Sequence, residues 1–198
     1  MTAKVVLASQ SKARRALLAG AGVAHEAVSA LLDEEAAKAE LAAKDLGPRD
    51  LAEALAAAKA VETSRSVEGL VIGADQTLDF HGETVGKAAS LEEARERLAA
   101  LRGHHHRLHS AVAVARGGEL LWADVQTATL KMRDFSDAFL DGYLARNGEA
   151  ALSSVGCYQL EGEGVQLFER IDGDYFTILG LPLPPLLDFL REQGVLAR

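Results

Sequence analysis

The chain has 198 residues, 48% of them apolar and 25% charged, which is enough for one large domain with a buried core. Its formal net charge of −8 argues against general binding to a nucleic-acid backbone, because such binding needs a surplus of Lys and Arg. The single cysteine, Cys157, excludes an internal disulfide and favours the cytoplasm, and no apolar run reaches the roughly 18 residues of a membrane span.

The first predicted elements are a short buried strand at Val5–Ala8 and a helix that follows a serine-rich turn. Ser9 or Ser11 is a suitable N-cap for this helix. The first turn of a helix usually favours acidic side chains because of the helix dipole, but here it is basic. Hydroxyls, free N–H groups and cations together indicate an anion site, although a solvated basic face is the alternative. The cations are Lys12, Arg14 and Arg15.

The next segment predicts a short strand at Glu26–Ser29 and two alanine-rich helices, Ala36–Lys44 and Arg49–Glu62. Carboxylates at 33–35 lie between the strand and the first helix, where they could serve a site or form a solvated surface. Lys59 falls one residue beyond the apolar stripe of the second helix, at the edge of that face.

A run of branched apolar residues predicts a buried strand over Gly69–Asp75, and Thr77–Val85 is typical of a hairpin. A strand that ends at Asp75 would deliver a carboxylate to a surface cleft. Lys87, which follows a glycine, could return a cation to the same cleft. A carboxylate and a lysine beside flexible backbone suit a metal-bound phosphate, whereas a capped turn and a surface lysine are the simpler alternative.

The second half of the chain predicts a capped helix, a hairpin, another helix, a strand and a final helix. A histidine-rich stretch precedes the hairpin and is expected to be an exposed turn, because consecutive histidines rarely share one metal ion. Cys157 is expected to be a small buried residue. The predicted elements are a helix at Leu91–Leu101 with the capping box Ser90–Glu93, the turn His104–His106, strands at His109–Ala115 and Glu119–Met132, a helix from Ser136 to Leu144 or Arg146, a strand at Val165–Ile171 and a helix at Pro185–Gln193.

Alternation of strands and helices in the first half, with a hairpin in the middle, predicts an α/β fold. We expect one domain over residues 1–198, with a mixed twisted sheet, flanking helices and two lobes around a cleft.

Five segments lie in the order and spacing of the Maf family of nucleoside triphosphate pyrophosphatases, also called septum-formation-inhibitor or Maf-like proteins. The resemblance extends from Val5 to about Gln193. The segments are Leu7–Ser11 with Arg14, Val71–Asp75, Gly86-Lys87, Gly156–Tyr158 with Glu161-Gly162, and Gly180–Leu183.

The resemblance implies a fold shared with inosine-triphosphate pyrophosphatases, hydrolysis of a nucleoside triphosphate to the monophosphate and pyrophosphate, a divalent metal (Mg or Mn) and often a homodimer. Asp75 matches the catalytic aspartate of the family. In the hydrolysis that the resemblance implies, Glu34 would be a second metal ligand beside Asp75. Ser11 and Arg15 would assist in holding the phosphates at the helix start. The residues that match phosphate-binding and metal-binding positions of the family are Ser9, Arg14, Glu34, Lys59 and Lys87.

In the family, three positions influence which nucleobase is preferred, and here they hold Ala13, Gln76 and Glu161. Gln and Glu at the last two resemble the 7-methyl-GTP pyrophosphatase branch, whereas Ala13 stands where that branch typically has Trp. A carboxylate near the base edge suits a guanine, which donates hydrogen bonds, and a cationic methylated ring. The alternatives are a pyrophosphatase that prefers dTTP or UTP, a nucleotide-sensing division regulator without turnover, and a protein-interaction module.

Overall fold

The computed structural model describes residues 3–42 and 44–197, with all their side chains except those of Glu35, Ala42 and Glu149. Residue 43, which the sequence assigns to a helix, lies outside the described residues. Within the described part of the chain, no helix is both long enough and apolar enough to cross a membrane.

The described residues form a seven-stranded mixed sheet in the order β2-β1-β3-β5-β6-β7, with β4 paired to the far part of β3. The β1–β2 and β1–β3 pairs are parallel, and the other pairs are antiparallel. The strands are β1 (Val5–Ala8), β2 (Glu26–Val28), β3 (Leu70–Phe80), β4 (Glu83–Val85), β5 (His105–Arg116), β6 (Glu119–Met132) and β7 (Phe168–Asp172).

Helices cover both faces of the sheet, and a 3-10 segment at Glu163–Leu167 precedes β7. The mixed sheet with flanking helices confirms the predicted fold class. The helices are α1 (Lys12–Gly20), α2 (Glu34–Ala42), α3 (Pro48–Ser64), α4 (Leu91–Leu101), α5 (Asp137–Leu152), α6 (Tyr175–Ile178) and α7 (Leu183–Glu192).

One face of the sheet carries two separate hydrophobic clusters. The first joins β1 and the start of β3 to α1 and α7, and Ile72 and Leu186 are among its buried members. The second joins the far part of β3 to α4 and α5 and includes Leu78 and Leu98. Gln76 lies on this face of β3 between the two clusters, where its amide contacts polar groups. The opposite face packs small side chains of α3 against alanines of β5.

Several predicted boundaries differ from the structure. The helix expected to end at Asn147-Gly148 continues to Leu152, because the Asn147 amide donates to the Tyr143 carbonyl at 3.1 Å and Gly148 packs against Leu91. The strand expected from Val165 begins at Phe168, after the 3-10 segment.

The exposed turn predicted at His104–His106 is wrong for two of its residues, because β5 already begins at His105. Strand alternation then turns His106 inward, where its Nε2 lies 2.7 Å from the buried hydroxyl of Tyr158. His109 points to the other face and contacts Asp79 and Thr127, so these two histidines have separate partners.

Candidate active site

The site lies at a gap along one edge of β3. β5 pairs with the other edge continuously from Val71 to Asp79, so β3 does not end at Asp75 as expected. Instead, β1 pairs only as far as Ile72, and β4 begins to pair at Leu78. Among the described residues, no strand therefore pairs with the intervening edge of β3, which includes Asp75.

The same topology brings distant segments to this gap. The serine-rich turn follows directly from the end of β1, and β4 runs antiparallel to β3, so the chain that leaves β4 heads back towards Asp75. Ser9 and Lys87 thus extend from the two strands that flank the gap. The sequence predicted that these residues would come together because strands end there. In the structure they come together because two short strands, β1 and β4, pair with different parts of the long strand β3.

Lys59 connects two carboxylates inside the site. Its Nζ lies 2.6 Å from Asp75 Oδ1 and 2.9 Å from Glu34 Oε1, and only 7% of its side chain is exposed. Asp75 is 14% exposed and Glu34 46%, so the site opens to solvent on the Glu34 side. Lys59 was expected at the edge of a helix face, but it belongs to the buried face of α3, where these two partners compensate its charge.

Glu34 is placed by the first turn of α2. Asp33 caps this turn by accepting from the N–H of Ala36 at 3.0 Å. Burial raises the pKa of Glu34, but the Lys59 hydrogen bond and the charges of Lys59, Lys38 and Lys87 outweigh burial and lower the pKa overall. Glu34 is therefore held as a carboxylate, and Lys87 lies close enough to act on it.

Arg14 forms the wall of the site on the α1 side. Its Nε donates to the Gly180 carbonyl at 2.7 Å, and its Nη1 donates to the Ala74 carbonyl at 3.0 Å and to Ser9 Oγ at 3.3 Å. Burial lowers the pKa of this guanidinium, against the opposing effects of Asp75 and Glu34. Arg14 thus ties α1, β3 and the segment after α6 together beside Asp75.

The start of α1 is the predicted helix terminus with cations in its first turn. Ser11 is the N-cap and accepts from the Arg14 N–H at 3.3 Å, and the buried Ser9 accepts from the Ser11 N–H at 3.3 Å. The ion pairs within residues 3–42 and 44–197 include neither Lys12 nor Arg15. This helix end therefore offers hydroxyls, N–H groups and positive charge to an anion.

The three residues assigned to base choice lie on different elements. Ala13 is half-buried on α1, and Glu161 is exposed in a turn before the 3-10 segment. Gln76 projects to the face of β3 opposite Asp75, where its Nε2 donates to Ser110 Oγ at 2.9 Å and to the carbonyls of Thr177 and Ile178 at 3.2 and 3.0 Å.

Two donor groups fit a divalent cation. Glu34 and Asp75 share one ammonium partner, so their carboxylates face the same small volume. Within the described side chains, no group of three or more His, Cys, Asp or Glu converges as a metal site. Two carboxylates suit Mg²⁺, which usually takes its other ligands from water and substrate phosphates, and they do not suit an ion held by protein alone.

Sequence reasoning missed the buried polar groups behind the site. Ser110 donates to the Thr177 carbonyl at 2.6 Å, and the same carbonyl accepts from Gln76. The signal for this contact is weak, because α6 is only four residues long and Ser110 lies in an apolar strand.

Curated relatives match nearly the whole chain. A nucleoside triphosphate pyrophosphatase from Caulobacter vibrioides is 63% identical over 97% of this chain and 96% of its own length. A 7-methyl-GTP pyrophosphatase from Rhizobium meliloti is 51% identical over 97% of each chain, and one from Brucella abortus is 50% identical over 98% of each.

Among solved structures, a nucleoside-triphosphatase / dITP/XTP pyrophosphatase from Mycobacterium abscessus aligns over 96% of this chain and 94% of that chain, with 14% identity and a TM-score of 0.42. This likeness is too distant to carry an inference about the site. The family described as Maf-like protein matches residues 4–193. Because this match covers almost the entire sequence, the chain belongs to the Maf-like protein family.

Proposed function

We propose that this chain hydrolyses nucleoside triphosphates between the α and β phosphates and releases the monophosphate and pyrophosphate. The single observation that carries the proposal is the pair of carboxylates, Asp75 and Glu34, that converge on Lys59 beside the basic start of α1. The names of the full-length relatives, nucleoside triphosphate pyrophosphatase and 7-methyl-GTP pyrophosphatase, bear out the predicted activity.

Asp75 is the proposed catalytic residue. Its Oδ1 accepts from Lys59, and the hydrogen bonds among the described residues leave Oδ2 without a partner. Oδ2 can therefore orient a water molecule in line with the α–β bond and accept a proton from it. Lys59 holds Asp75 Oδ1 through this hydrogen bond and could shift towards the triphosphate when substrate enters.

Glu34 and Asp75 would hold a divalent cation, Mg or Mn. When it is bound, such an ion neutralises charge on the phosphate oxygens and makes the pyrophosphate a better leaving group. The arrangement of the two carboxylates supports this assignment, with the remaining ligands supplied by substrate and water.

The triphosphate would lie across the gap between β1 and β4. Ser9, Ser11 and Arg15 would hold its oxygens at the start of α1, and Lys87 would neutralise it from the other side. Two of the three Arg14 nitrogens, Nε and Nη1, already donate to protein acceptors, so a phosphate contact from Arg14 would come from Nη2.

We propose 7-methyl-GTP as the preferred substrate. Relatives of that name at 50–51% identity support this choice, as does the exposed carboxylate of Glu161, which suits a cationic methylated base. Because the Gln76 amide nitrogen is engaged by protein groups, a direct contact between Gln76 and the base would use its amide oxygen.

Asp75→Asn tests the central assignment. We expect turnover in a pyrophosphate-release assay to fall about 100-fold or more, because the neutral amide neither accepts the proton nor attracts the cation. Asp79→Asn is the matched control: it removes a carboxylate from the same face of β3, about 13 Å along the strand, and should retain turnover once folding is verified. Near wild-type turnover of Asp75→Asn would refute the mechanism.

A panel of 7-methyl-GTP, GTP, dTTP and UTP, scored by kcat/KM, tests the base preference. Glu161→Gln should reduce the advantage of 7-methyl-GTP over GTP by about tenfold, because the carboxylate favours the methylated cation. If wild type is no better with 7-methyl-GTP than with dTTP or UTP, the preference is wrong while the pyrophosphatase proposal stands.

We also propose a cytoplasmic location, which the one buried free thiol, Cys157, supports. The homodimer implied by the resemblance is a further proposal, and light scattering on the purified protein would test it.

A further inference from the structure

The segment that carries Lys87 has no regular secondary structure. Residues 86–90 connect β4 to α4, and the Lys87 side chain is exposed. A flexible lysine in such a segment would approach a triphosphate at a large entropic cost unless the backbone beneath it is held in place.

Arg97 on α4 holds this backbone. Its Nη1 donates to the carbonyl of Gly86, the residue before Lys87, and to the Val155 carbonyl at 3.2 Å. Its Nη2 donates to Glu93 Oε1 at 2.7 Å, and only 11% of the arginine side chain is exposed. One guanidinium therefore joins the Lys87 segment to α4 and to the chain that leads into Gly156.

Glu93 secures the other end of the same segment. Its Oε2 accepts from the Ala89 N–H at 2.8 Å, while its own N–H donates to the N-cap Ser90 at 3.2 Å. One half of the predicted capping box is therefore present, because the Ser90 hydroxyl accepts from the Glu93 N–H, but the Glu93 carboxylate accepts from Ala89, one residue before the N-cap. Lys87 lies between two backbone contacts, at Gly86 and Ala89, which both depend on the Arg97–Glu93 pair.

We infer that Arg97 is a positioning residue that holds the ammonium of Lys87 towards the triphosphate, an inference that rests on the proposed function of Lys87. Arg97 acts through the Gly86 carbonyl and makes no contact with substrate. Its effect on turnover should therefore exist only while Lys87 is present. A purely structural arginine would instead lower activity by the same factor with or without Lys87.

A double-mutant cycle tests this inference in the full-length protein with Mg²⁺, by pyrophosphate release. Arg97→Met keeps the aliphatic stem and removes the guanidinium, and we expect kcat/KM to fall about tenfold from the misplaced lysine. Lys87→Met should fall by at least as much, and adding Arg97→Met to Lys87→Met should change kcat/KM by less than about twofold. Arg95→Met is the matched control, because Arg95 lies on the same helix and pairs with Asp141 at 2.7 Å; it should keep wild-type activity.

Arg97→Lys covers the case in which the methionine variant does not fold. Its single ammonium can still donate to one of the three acceptors of Arg97, so it should recover part of the lost kcat/KM. Equal losses from Arg97→Met in both backgrounds, or full activity of a folded Arg97→Met beside an impaired Lys87→Met, would overturn the positioning role alone. Full activity of Lys87→Met would instead overturn the proposed contact between Lys87 and the triphosphate.

Discussion

Lys59 is the residue on which the electrostatics of the site depend. It is almost fully buried and lies within 3 Å of two carboxylates, so it neutralises charges that would otherwise repel each other. Removing one member of a buried charge cluster leaves the others uncompensated, which costs more than the net contribution of the pair. Lys59 therefore contributes to stability and to the local charge at the same time.

Lys59→Met should lower the free energy of unfolding by about 2–3 kcal/mol. This is somewhat less than the cost of removing one partner of a fully buried ion pair, because Glu34 is half-exposed. With the ammonium gone, Mg²⁺ should take over its electrostatic role, so Mg²⁺ should raise the Tm of Lys59→Met more than that of wild type. Lys38→Met, which removes an exposed lysine 3.8 Å from Glu34, is the control. An equal response of the two variants to Mg²⁺ would contradict the shared-cation interpretation.

His106 gives the fold a dependence on pH that is independent of the active site. It is 2% exposed, its Nε2 lies 2.7 Å from Tyr158 Oη, and its Nδ1 has no hydrogen-bond partner among the described residues. Burial, with a smaller effect from the neighbouring His105, lowers the pKa of His106 to about 4. The native state therefore holds this imidazole neutral at pH values where the unfolded chain is already protonated.

Stability should fall as the pH drops from about 6.5 to about 4, because the unfolded state binds the proton first in this window. His106→Gln lacks this histidine. Between pH 7 and 4, the free energy of unfolding of wild type should therefore fall by about 3 kcal/mol more than that of His106→Gln. Urea titrations at several pH values measure the difference, with the exposed neighbour variant His105→Gln as control. Parallel pH profiles for wild type and His106→Gln would refute the prediction.

At the scale of elements, the contact between α3 and β3 sets the distance between Lys59 and Asp75. Gly73 lies two residues before Asp75 on the same face of the strand. A Cβ on Gly73 would overlap Ala56 O and lie 2.6 Å from Ala60 N, so the helix backbone rests directly on this glycine. Small residues on both elements thus allow the close approach that buries Lys59.

Gly73→Ala should push α3 away from β3, because the clashing atoms belong to the helix backbone and have no free rotamer. We expect a loss of stability of about 3 kcal/mol or more, together with a drop in turnover as Lys59 moves from Asp75. Thermal unfolding measures the first effect. Gly20→Ala is the control, since a Cβ there has nothing within 4 Å, and it should be neutral or slightly stabilising.

The elements that follow local rules were predicted well from the sequence. Capped helices such as α4 and the long hairpin of β5 and β6 follow from capping residues and from glycines in the turn. The errors arise where tertiary contacts override local signals. α5 runs through Asn147-Gly148 because these residues pack and hydrogen-bond there, and β3 continues past Asp75 because β5 pairs with it from Val71 to Asp79.

At the scale of the whole molecule, one long strand serves two hydrophobic clusters and the site between them. β3 contributes Ile72 to one cluster and Leu78 to the other, and Asp75 lies between these positions on the opposite face. Substrate bound in the gap would contact segments that follow β1 and β4, which belong to different parts of the sheet. Binding should therefore stabilise the molecule as a whole.

An α,β-methylene nucleoside triphosphate with Mg²⁺ should raise Tm by roughly 5–10 °C at about 100 times its Kd, from a stabilisation of about 2.7 kcal/mol. The matching monophosphate should give a much smaller shift, because it lacks the β and γ phosphates that Lys87 and the start of α1 would hold. Equal shifts for the two ligands, measured by thermal unfolding, would argue against a polyphosphate site in the gap.

The sequence predicted which residues lie together at the site better than it predicted the contacts that they make. The fold class and the family are confirmed, and Asp75, Lys59 and Glu34 lie together. The buried position of Lys59 and the engagement of Arg14 by Gly180 were not predictable, because they depend on contacts across up to 166 positions of the chain. The roles of these residues remain predictions for the experiments above.

The shared lysine also bears on how the protein withstands metal scarcity. A site of bare carboxylates would tend to distort or unfold when its ion is withdrawn, as zinc-dependent modules do. Here an internal ammonium occupies the space between the acids, so chelation should leave the fold intact and switch off only turnover. With Mg²⁺ required as proposed, activity should be lost on chelation and recovered when the ion is restored, while the protein stays folded throughout.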